Sequence, residues 1–302
     1  MPKLLVTPLE FLESKEPRRL KDAAVVADEK VKYIQMVQQT IQTWIEDCAS
    51  DDPSRQAKAV IELVDAQAYV AAPQIVTLLT AADPAIRSTA AYALGYLGIQ
   101  EPETIGCTLI NLLNDPEVIV RSEVVEALGG LRYKPAIAPI QHALRNDAEP
   151  LVRASAAEAL GDIGDEQALT ALEDALKDAD EAVRAYAANS IGLLGTAQLL
   201  PKLEVYLKSE SSVKVQAELL GAMYRLGAVD ALSQLLNLLD NADEDLATCI
   251  LNLLTDLTER QIPSTLIESA SEIRQSLSAI AQHFPILRYQ AEDIGEQLIT
   301  GV

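Results

Sequence analysis

Apolar residues recur every three or four positions along this chain, in short segments that end in Leu-Gly or Ile-Gly. The segment Arg87–Gly98 (RSTAAYALGYLG) has the same pattern as Arg153–Gly164 (RASAAEALGDIG) and Arg184–Gly195 (RAYAANSIGLLG), and two further copies begin at Arg121 and Gln216. The copies begin at positions 87, 121, 153, 184 and 216, which are 34, 32, 31 and 32 residues apart. This spacing is typical of helical hairpin repeats.

Each copy predicts a first helix, a turn that contains glycine and a second helix. The pairs Asp83-Pro84 and Asp115-Pro116 predict helix N-termini, because aspartate caps a helix and proline is tolerated at its first position. Glycines that follow the last apolar position predict left-handed C-caps at Gly98, Gly164, Gly195 and Gly227. The second helices have leucines at helical spacing, as in Leu169, Leu172 and Leu176; Leu200, Leu203 and Leu207; and Leu232, Leu235 and Leu239.

One amphipathic hairpin cannot cover its own apolar face, so neighbouring copies must stack. Pairs of alanine such as Ala90-Ala91 and Ala156-Ala157 allow close packing of the first helices. Arginine recurs at one position of the repeat, and stacking would align positions 87, 121, 153 and 184 into a ladder that reaches aspartates and carbonyls of the next copy. The sequence therefore predicts an all-α fold, an α-solenoid of about seven hairpins with the first helices outside and the second helices lining a concave face.

The pattern weakens towards both ends of the chain. Residues 31–302 are expected to form a single solenoid with helical caps, beginning with a helix over 31–48 and ending with a longer hairpin over 243–283 and a last helix after Pro285. Residues 1–30 are expected to form a partly disordered arm that contains a basic cluster, Lys15, Arg18, Arg19 and Lys21. This arm is interpreted as a loose tail or a segment folded back on the acidic repeats, with a docking segment for a partner as the alternative.

Composition agrees with stacked helices, since 49% of residues are hydrophobic but only 4% are aromatic. Twenty-four Lys and Arg against 45 Asp and Glu give a net charge of −21, which disfavours nucleic acid and anionic membranes as partners. No apolar run approaches the length of a membrane span, and no secretory leader is evident, so a cytoplasmic protein without membrane insertion is expected.

Candidate reactive groups are few. The two histidines, His142 and His283, lie in separate copies, and the cysteines at 48, 107 and 249 are far apart, so neither a metal site nor a disulfide framework is predicted. No phosphate-binding loop or nucleophile elbow occurs. No catalytic residue, bound metal or cofactor is predicted from the residues themselves.

The motif D-P-x-x-R-x-x-A-A-x-A-L-G-x-L-G is complete at Asp83–Gly98 and nearly complete at Asp180–Gly195. It resembles the HEAT-like repeat of the phycobilisome lyase family, and the resemblance covers roughly residues 50 to 260. The resemblance implies either a phycobilin lyase of the E/F type, which attaches or isomerises a bilin on a phycobiliprotein, or a related scaffold that assembles or dismantles phycobilisomes. It carries over no catalytic residue, because the motif marks stacking positions.

One departure favours the scaffold: the lyase subunits have aromatic-rich first helices, whereas the only tryptophan, Trp44, lies outside the repeats. Six tyrosines are interpreted as filling gaps between helices, with a bilin site as the alternative: Tyr92, Tyr96, Tyr133, Tyr186, Tyr206 and Tyr224.

The predicted function is a scaffold or adaptor that binds a phycobiliprotein, another cyanobacterial protein or a second HEAT-like chain through the concave face. The alternative is a phycobilin lyase, with a bilin as its cofactor, so enzymatic activity stays open. The predicted partner-binding residues lie on the second helices, opposite the leucines: Thr108, Asn111, His142, Thr170, Asp174, Lys202, Gln234 and Asn237.

Overall fold

The computed structural model describes residues 20–259 and 270–300, which form sixteen α-helices and no β-strand. It divides into two compact units, residues 1–131 and residues 132–302. The single array expected over residues 31–302 stays a prediction. Most of the expected N-terminal arm, including Lys15, Arg18 and Arg19, lies outside the described residues.

The first unit contains six helices. They are α1 (Leu20–Asp47), α2 (Pro53–Asp65), α3 (Ala72–Leu78), α4 (Pro84–Leu97), α5 (Pro102–Ile110) and α6 (Val118–Gly130). Helix α1 covers the predicted cap and begins eleven residues before it.

The second unit contains the remaining ten helices. They are α7 (Ile137–Asn146), α8 (Pro150–Ile163), α9 (Leu169–Ala175), α10 (Glu181–Leu194), α11 (Leu200–Ser209), α12 (Val213–Arg225), α13 (Asp230–Asn237), α14 (Glu244–Glu259), α15 (Ala270–His283) and α16 (Arg288–Thr300).

Within each unit the helices alternate between two rows. The first helices stack on one another in chain order, α2, α4 and α6 in one unit and α8, α10, α12 and α14 in the other. The second helices, α3, α5, α7, α9 and α11, each pack against the first helix that follows them in the same unit. The side chains of Leu94, Leu160, Leu172 and Ile191 are completely buried between the rows. The predicted fold class, a stack of HEAT-like helical hairpins, is confirmed.

An arginine ladder joins successive first helices, as the sequence predicts. The guanidinium of Arg153 donates from Nε and Nη2 to the two carboxylate oxygens of Asp178, both at 2.8 Å, and from Nη1 to the carbonyl of Asp147 at 3.0 Å. Arg184 makes the same bidentate contact with Glu210, at 2.8 and 3.0 Å, and its Nη1 donates to the carbonyl of Asp178 at 2.9 Å. Each arginine thus ties the loop before its own helix to the loop before the next first helix.

The first unit has the same arrangement. Arg87 makes a bidentate contact with Asp115, at 2.8 and 2.9 Å, and Nη1 of Arg121 donates to the carbonyl of Asp115 at 2.9 Å. Because these guanidinium groups hydrogen-bond to the carboxylates, they lower the pKa values of Asp115, Asp178 and Glu210.

The predicted helix start at Asp115-Pro116 is wrong, because Asp115 takes part in the arginine ladder. Asp83 caps α4 as expected, accepting a hydrogen bond from the backbone N–H of Ala85 at 2.9 Å. Asp115 does not cap α6, which begins at Val118 after Glu117. The Asp115 carboxylate instead receives Arg87 and the backbone N–H of Glu117 at 3.0 Å.

Two of the four predicted left-handed glycines are correct. Gly164 and Gly227 have φ angles of 77° and 102°, whereas Gly98 and Gly195 have φ angles of −80° and −79° and end their helices without the left-handed turn. The sequence motif did not predict a second role of glycine, which is close packing of neighbouring helices. A Cβ atom on Gly192 would lie 2.7 Å from the Cα atom of Ala222, so this glycine allows α10 and α12 to approach closely.

The described chain ends in a pair of helices. Helix α15 packs against α16, and the short turn Pro285–Leu287 joins them, so the last pair of helices forms around Pro285. Throughout the described residues, every helix is too short or too polar to cross a membrane.

Candidate functional site

A cleft of about 730 Å³ opens on the row of first helices in the second unit. Helices α8, α10, α12 and α14 each contribute side chains to it. The close packing of α10 on α12 at Gly192 brings these two helices together, and side chains of both line the cleft. We refer to this feature as the first-helix cleft.

Carboxylates dominate the lining of the first-helix cleft. Among the described residues that line it, Lys214 is the single basic one, and its Nζ atom lies 3.5 Å from a carboxylate oxygen of Asp245. At the edge of the cleft, Arg225 forms an ion pair with Asp256. The surface therefore has an excess of negative charge, supplied by Glu158, Asp162, Glu181, Glu218, Asp245 and Asp256.

Glu218 occupies the centre of this arrangement, on α12 between α10 and α14. Its carboxylate accepts a hydrogen bond from the side-chain amide of Asn189 at 3.1 Å and one from the thiol of Cys249 at 3.6 Å. Burial raises the pKa of Glu218, and the nearby Asp256 adds to this effect, whereas Asn189, Arg225 and Cys249 oppose it. Glu218 is thus a partly desolvated carboxyl group with neutral hydrogen-bond donors.

Cys249 is not an activated nucleophile. Burial raises the pKa of its thiol to about 12, and the neighbouring Glu218 carboxylate adds to the shift. The thiolate is the nucleophilic form of cysteine, so this thiol is unreactive near neutral pH. Cys48 in the first unit is similar, since burial raises the pKa of its thiol to about 11.

The first-helix cleft also has apolar and neutral polar walls. Tyr186 and Leu193 of α10 and Asn252 of α14 line it. Tyr186 is 41% exposed, and in the first unit Tyr92 and Tyr96 are also exposed, with ring centroids 5.0 Å apart. The prediction that tyrosines fill gaps is therefore wrong for these three.

Gap filling is correct for Tyr133 and Tyr224, both 4% exposed. Tyr206 is partly buried, and its hydroxyl donates to the carbonyl of Glu173 at 3.5 Å.

None of the eight predicted partner-binding residues lines the first-helix cleft. All eight lie on second helices or at their ends, and all except the partly buried Thr108 are exposed. Several of them hydrogen-bond to their own helix: Thr108 donates to the carbonyl of Thr104 at 3.0 Å, and Asn111 donates to that of Cys107 at 3.3 Å.

The eight predicted residues are divided between the two units. Thr108 and Asn111 belong to the first unit, and the other six belong to the second. Lys202 on α11 forms an ion pair with Glu173 on α9, next to the predicted Asp174. His142 is exposed, and its Nδ1 atom lies 3.2 Å from the side-chain amide of Asn146. Their binding of a partner stays a prediction.

A signal for the first-helix cleft is present in the sequence. Its residues recur two, five and nine positions after the repeat's arginine, as Tyr186, Asn189 and Leu193 do after Arg184. Glu158 and Asp162 occupy the last two of these positions after Arg153. These are the variable positions between the alanines and glycines of the motif. No metal cluster accompanies them: over the described ranges, no three His, Cys, Asp or Glu side chains are placed to hold an ion together.

Comparison with known proteins supports the repeats. Residues 108–181 and 171–253 match the family model of HEAT repeats, so this part of the chain consists of HEAT repeats. No curated protein matches the chain in sequence.

Three of the solved structures that are similar to this chain are as follows. The complex of CpcE and CpcF of phycocyanin lyase from Nostoc sp. PCC7120 has 19% sequence identity and a TM-score of 0.57, over 76% of this chain and 94% of that chain. YibA of Escherichia coli has 17% identity and a TM-score of 0.49, over 88% and 96% of the two chains. An engineered protein has 18% identity and a TM-score of 0.44, over 87% and 78%. The likeness to the phycocyanin lyase complex is one of fold.

Proposed function

We propose that this chain, whose residues 108–253 are HEAT repeats, is a scaffold that binds another protein. The partner we propose is a phycobiliprotein or another cyanobacterial protein, with a second HEAT-like chain as a further possibility. The observation that carries the proposal is the first-helix cleft, an open surface of about 730 Å³ built by four successive first helices. Repeat proteins bind partners on extended surfaces that successive repeats build together.

The side chains of the first-helix cleft favour binding over covalent chemistry. The thiol of Cys249 stays protonated, because its pKa is raised to about 12. Glu218 is held by Asn189 and Cys249 rather than beside a histidine or a serine hydroxyl. Such a surface offers side-chain amides and an exposed tyrosine, and aromatic residues are enriched at protein interfaces. Its carboxylates can steer a basic partner towards it.

Direct binding tests the proposal. The purified chain is mixed with purified phycocyanin, and the complex is measured by sedimentation velocity and by isothermal titration calorimetry. A 1:1 complex that resists physiological salt supports the proposal. A parallel affinity purification from a cyanobacterial extract identifies any other protein partner. If neither phycocyanin nor a stoichiometric protein from the extract binds, the scaffold function is wrong.

A second candidate function is a phycobilin lyase subunit, favoured by the fold shared with the CpcE and CpcF complex. The volume of the first-helix cleft is within the usual range of small-molecule sites, and Tyr186 gives it an aromatic wall. A lyase subunit should shift the visible absorption of an added bilin and accelerate its attachment to an apo-phycobiliprotein, alone or with a second HEAT-like chain. Transfer above the uncatalysed rate would favour this function over the scaffold.

A further inference from the structure

We propose that the first-helix cleft receives a lysine or arginine side chain of the partner protein, and that Glu218 is the carboxylate that pairs with it. This inference rests on the proposed protein-binding function and names the chemistry of the partner. It depends on the contacts of Glu218, on the charges around it and on the open volume in front of it.

The first argument is the pairing of Glu218. Its two oxygen atoms accept from the amide of Asn189 and the thiol of Cys249, both neutral donors. Among the residues that the structure describes, no lysine or arginine forms an ion pair with Glu218. The ladder carboxylates of the same unit, Asp178 and Glu210, each receive two hydrogen bonds from a guanidinium group. A carboxylate that is partly removed from water costs free energy when no cation is bound to it directly, so an incoming cation is favoured.

The second argument concerns the cations already nearby. Among the described residues, Lys214 in the lining of the cleft pairs with Asp245, and Arg225, whose charge lowers the pKa of Glu218, pairs with Asp256. Neither of these cations is bound directly to Glu218, which has only neutral hydrogen-bond donors among these residues. The described lining, with six carboxylates and one lysine, attracts a basic segment and orients its charged side chain.

The third argument selects a side chain rather than a metal ion. Over the described residues, the carboxylates of the cleft are spread along four helices and do not converge as a group of three. A lysine or arginine needs only one or two acceptors at the end of a long apolar stem, and the stem can pack on Tyr186 and Leu193. The geometry thus suits a long cationic side chain.

The test uses a defined probe, a terminally blocked peptide with three lysines separated by alanines, and the same peptide with acetylated lysines. Isothermal titration calorimetry measures both against the wild type, Glu218→Gln and Glu204→Gln. The last variant removes one negative charge from an exposed site on the second helix α11, outside the cleft. We expect Glu218→Gln to weaken lysine-peptide binding about tenfold and Glu204→Gln less than twofold, because only Glu218 makes a direct contact.

A second variant and a second readout keep the test decisive. Asn189→Lys supplies an internal cation beside Glu218 and should block the lysine peptide as effectively as Glu218→Gln does. Because burial raises the pKa of Glu218, binding of the cation should also release a proton in mildly acidic buffer, and this release should vanish in Glu218→Gln. Arg225, Lys214, Asp256 and Cys249 face the same carboxyl group, so they are kept unchanged.

Two results would overturn the inference. One is an equal loss of affinity in Glu218→Gln and Glu204→Gln, which indicates diffuse attraction by the acidic surface. The other is equal binding of the acetylated peptide, which removes the need for a cation. Either result, combined with intact phycocyanin binding, leaves the scaffold function standing. Peptide binding that depends on Glu218 without any protein partner would support the cationic site and contradict the scaffold.

Discussion

The arginine ladder and the first-helix cleft lie on the same row of helices, but their carboxylates have opposite hydrogen-bond partners and opposite pKa shifts. In the ladder, Asp178 and Glu210 receive bidentate guanidinium contacts, and their pKa values are lowered. In the cleft, Glu218 receives an amide and a thiol, and burial raises its pKa. The ladder carboxylates are paired with arginines of the same chain and stabilise the stack. Within the described part of the chain, Glu218 has no cation bound to it directly and can pair with a ligand.

Removing a ladder arginine should have the largest effect. Arg184→Met keeps the apolar stem but leaves Glu210, only 9% exposed, without its guanidinium partner. We expect the free energy of unfolding to fall by about 3 kcal/mol, measured by urea denaturation, since breaking a buried ion pair strands the remaining charge. Lys202→Met is the matched control, because its pair with Glu173 is half-exposed, and it should cost under about 1 kcal/mol. Equal losses in the two variants would mean that the ladder pair stabilises the fold no more than a half-exposed ion pair does.

The close approach of α10 and α12 supports both regions and can be tested at one position. Gly192→Ala places a Cβ atom 2.7 Å from the Cα atom of Ala222, so the helices must move apart, at a cost of about 1–3 kcal/mol. Gly295→Ala is the matched control, because a Cβ atom there meets nothing within 4 Å. That variant should gain up to about 1 kcal/mol from helix propensity. Thermal unfolding of both proteins checks the opposite signs.

Neutralising the cleft carboxylate should have a smaller effect, of the opposite sign to that at the ladder. Glu218→Gln preserves the shape and the hydrogen bond from Asn189 while removing a desolvated charge. At neutral pH we expect a gain on the order of 1 kcal/mol in the free energy of unfolding. A loss in urea denaturation would mean that the charged form of Glu218 stabilises the fold, contrary to this account.

Glu210 and Glu218 should also differ in how their contributions to stability depend on pH. The pKa of Glu210 is lowered in the fold, so its stabilising contribution is present above its unfolded pKa and is lost as pH falls through the folded pKa. The pKa of Glu218 is raised, so stability is lost as pH rises from its unfolded pKa through the folded one. The difference between wild type and Arg184→Met should therefore shrink in acid, and so should the gain of Glu218→Gln. Unfolding curves recorded from neutral to acidic pH would show both trends.

The sequence predicted the features that repetition imposes. The recurring arginine predicted the ladder, and Arg153 reaches the expected aspartate, whereas Arg184 reaches Glu210. Their carbonyl partners, Asp147 and Asp178, lie in the loop before each arginine's own helix rather than in the next copy. The start of α6 was mispredicted because Asp115-Pro116 resembles a cap locally, while the carboxylate is used by a guanidinium 28 residues earlier. Only the tertiary arrangement decides between these two uses of one side chain.

The candidate site was harder to predict, because it depends on which row of helices forms the open surface. The predicted residues, such as Asp174 and Lys202, lie on the second helices, because repeat proteins commonly bind partners through a concave face. Glu218 and Cys249 lie 31 positions apart, and Asn189 lies 29 positions before Glu218, so their grouping follows only from the stacking of α10, α12 and α14. Polar residues between alanines on a first helix otherwise resemble an ordinary solvated face.

The measurement that tests the central claim most directly compares two charge-neutral double reversals in phycocyanin binding, or in binding of whichever protein partner the extract supplies. Glu158→Lys with Lys214→Glu alters the first-helix cleft, and Asp174→Lys with Lys202→Glu alters the second-helix face, without changing the net charge. Circular dichroism confirms that both variants fold. The account predicts at least a tenfold loss of affinity in the cleft variant and less than a twofold loss in the other. A large loss in the second-helix variant alone would contradict it and place the partner on the second helices.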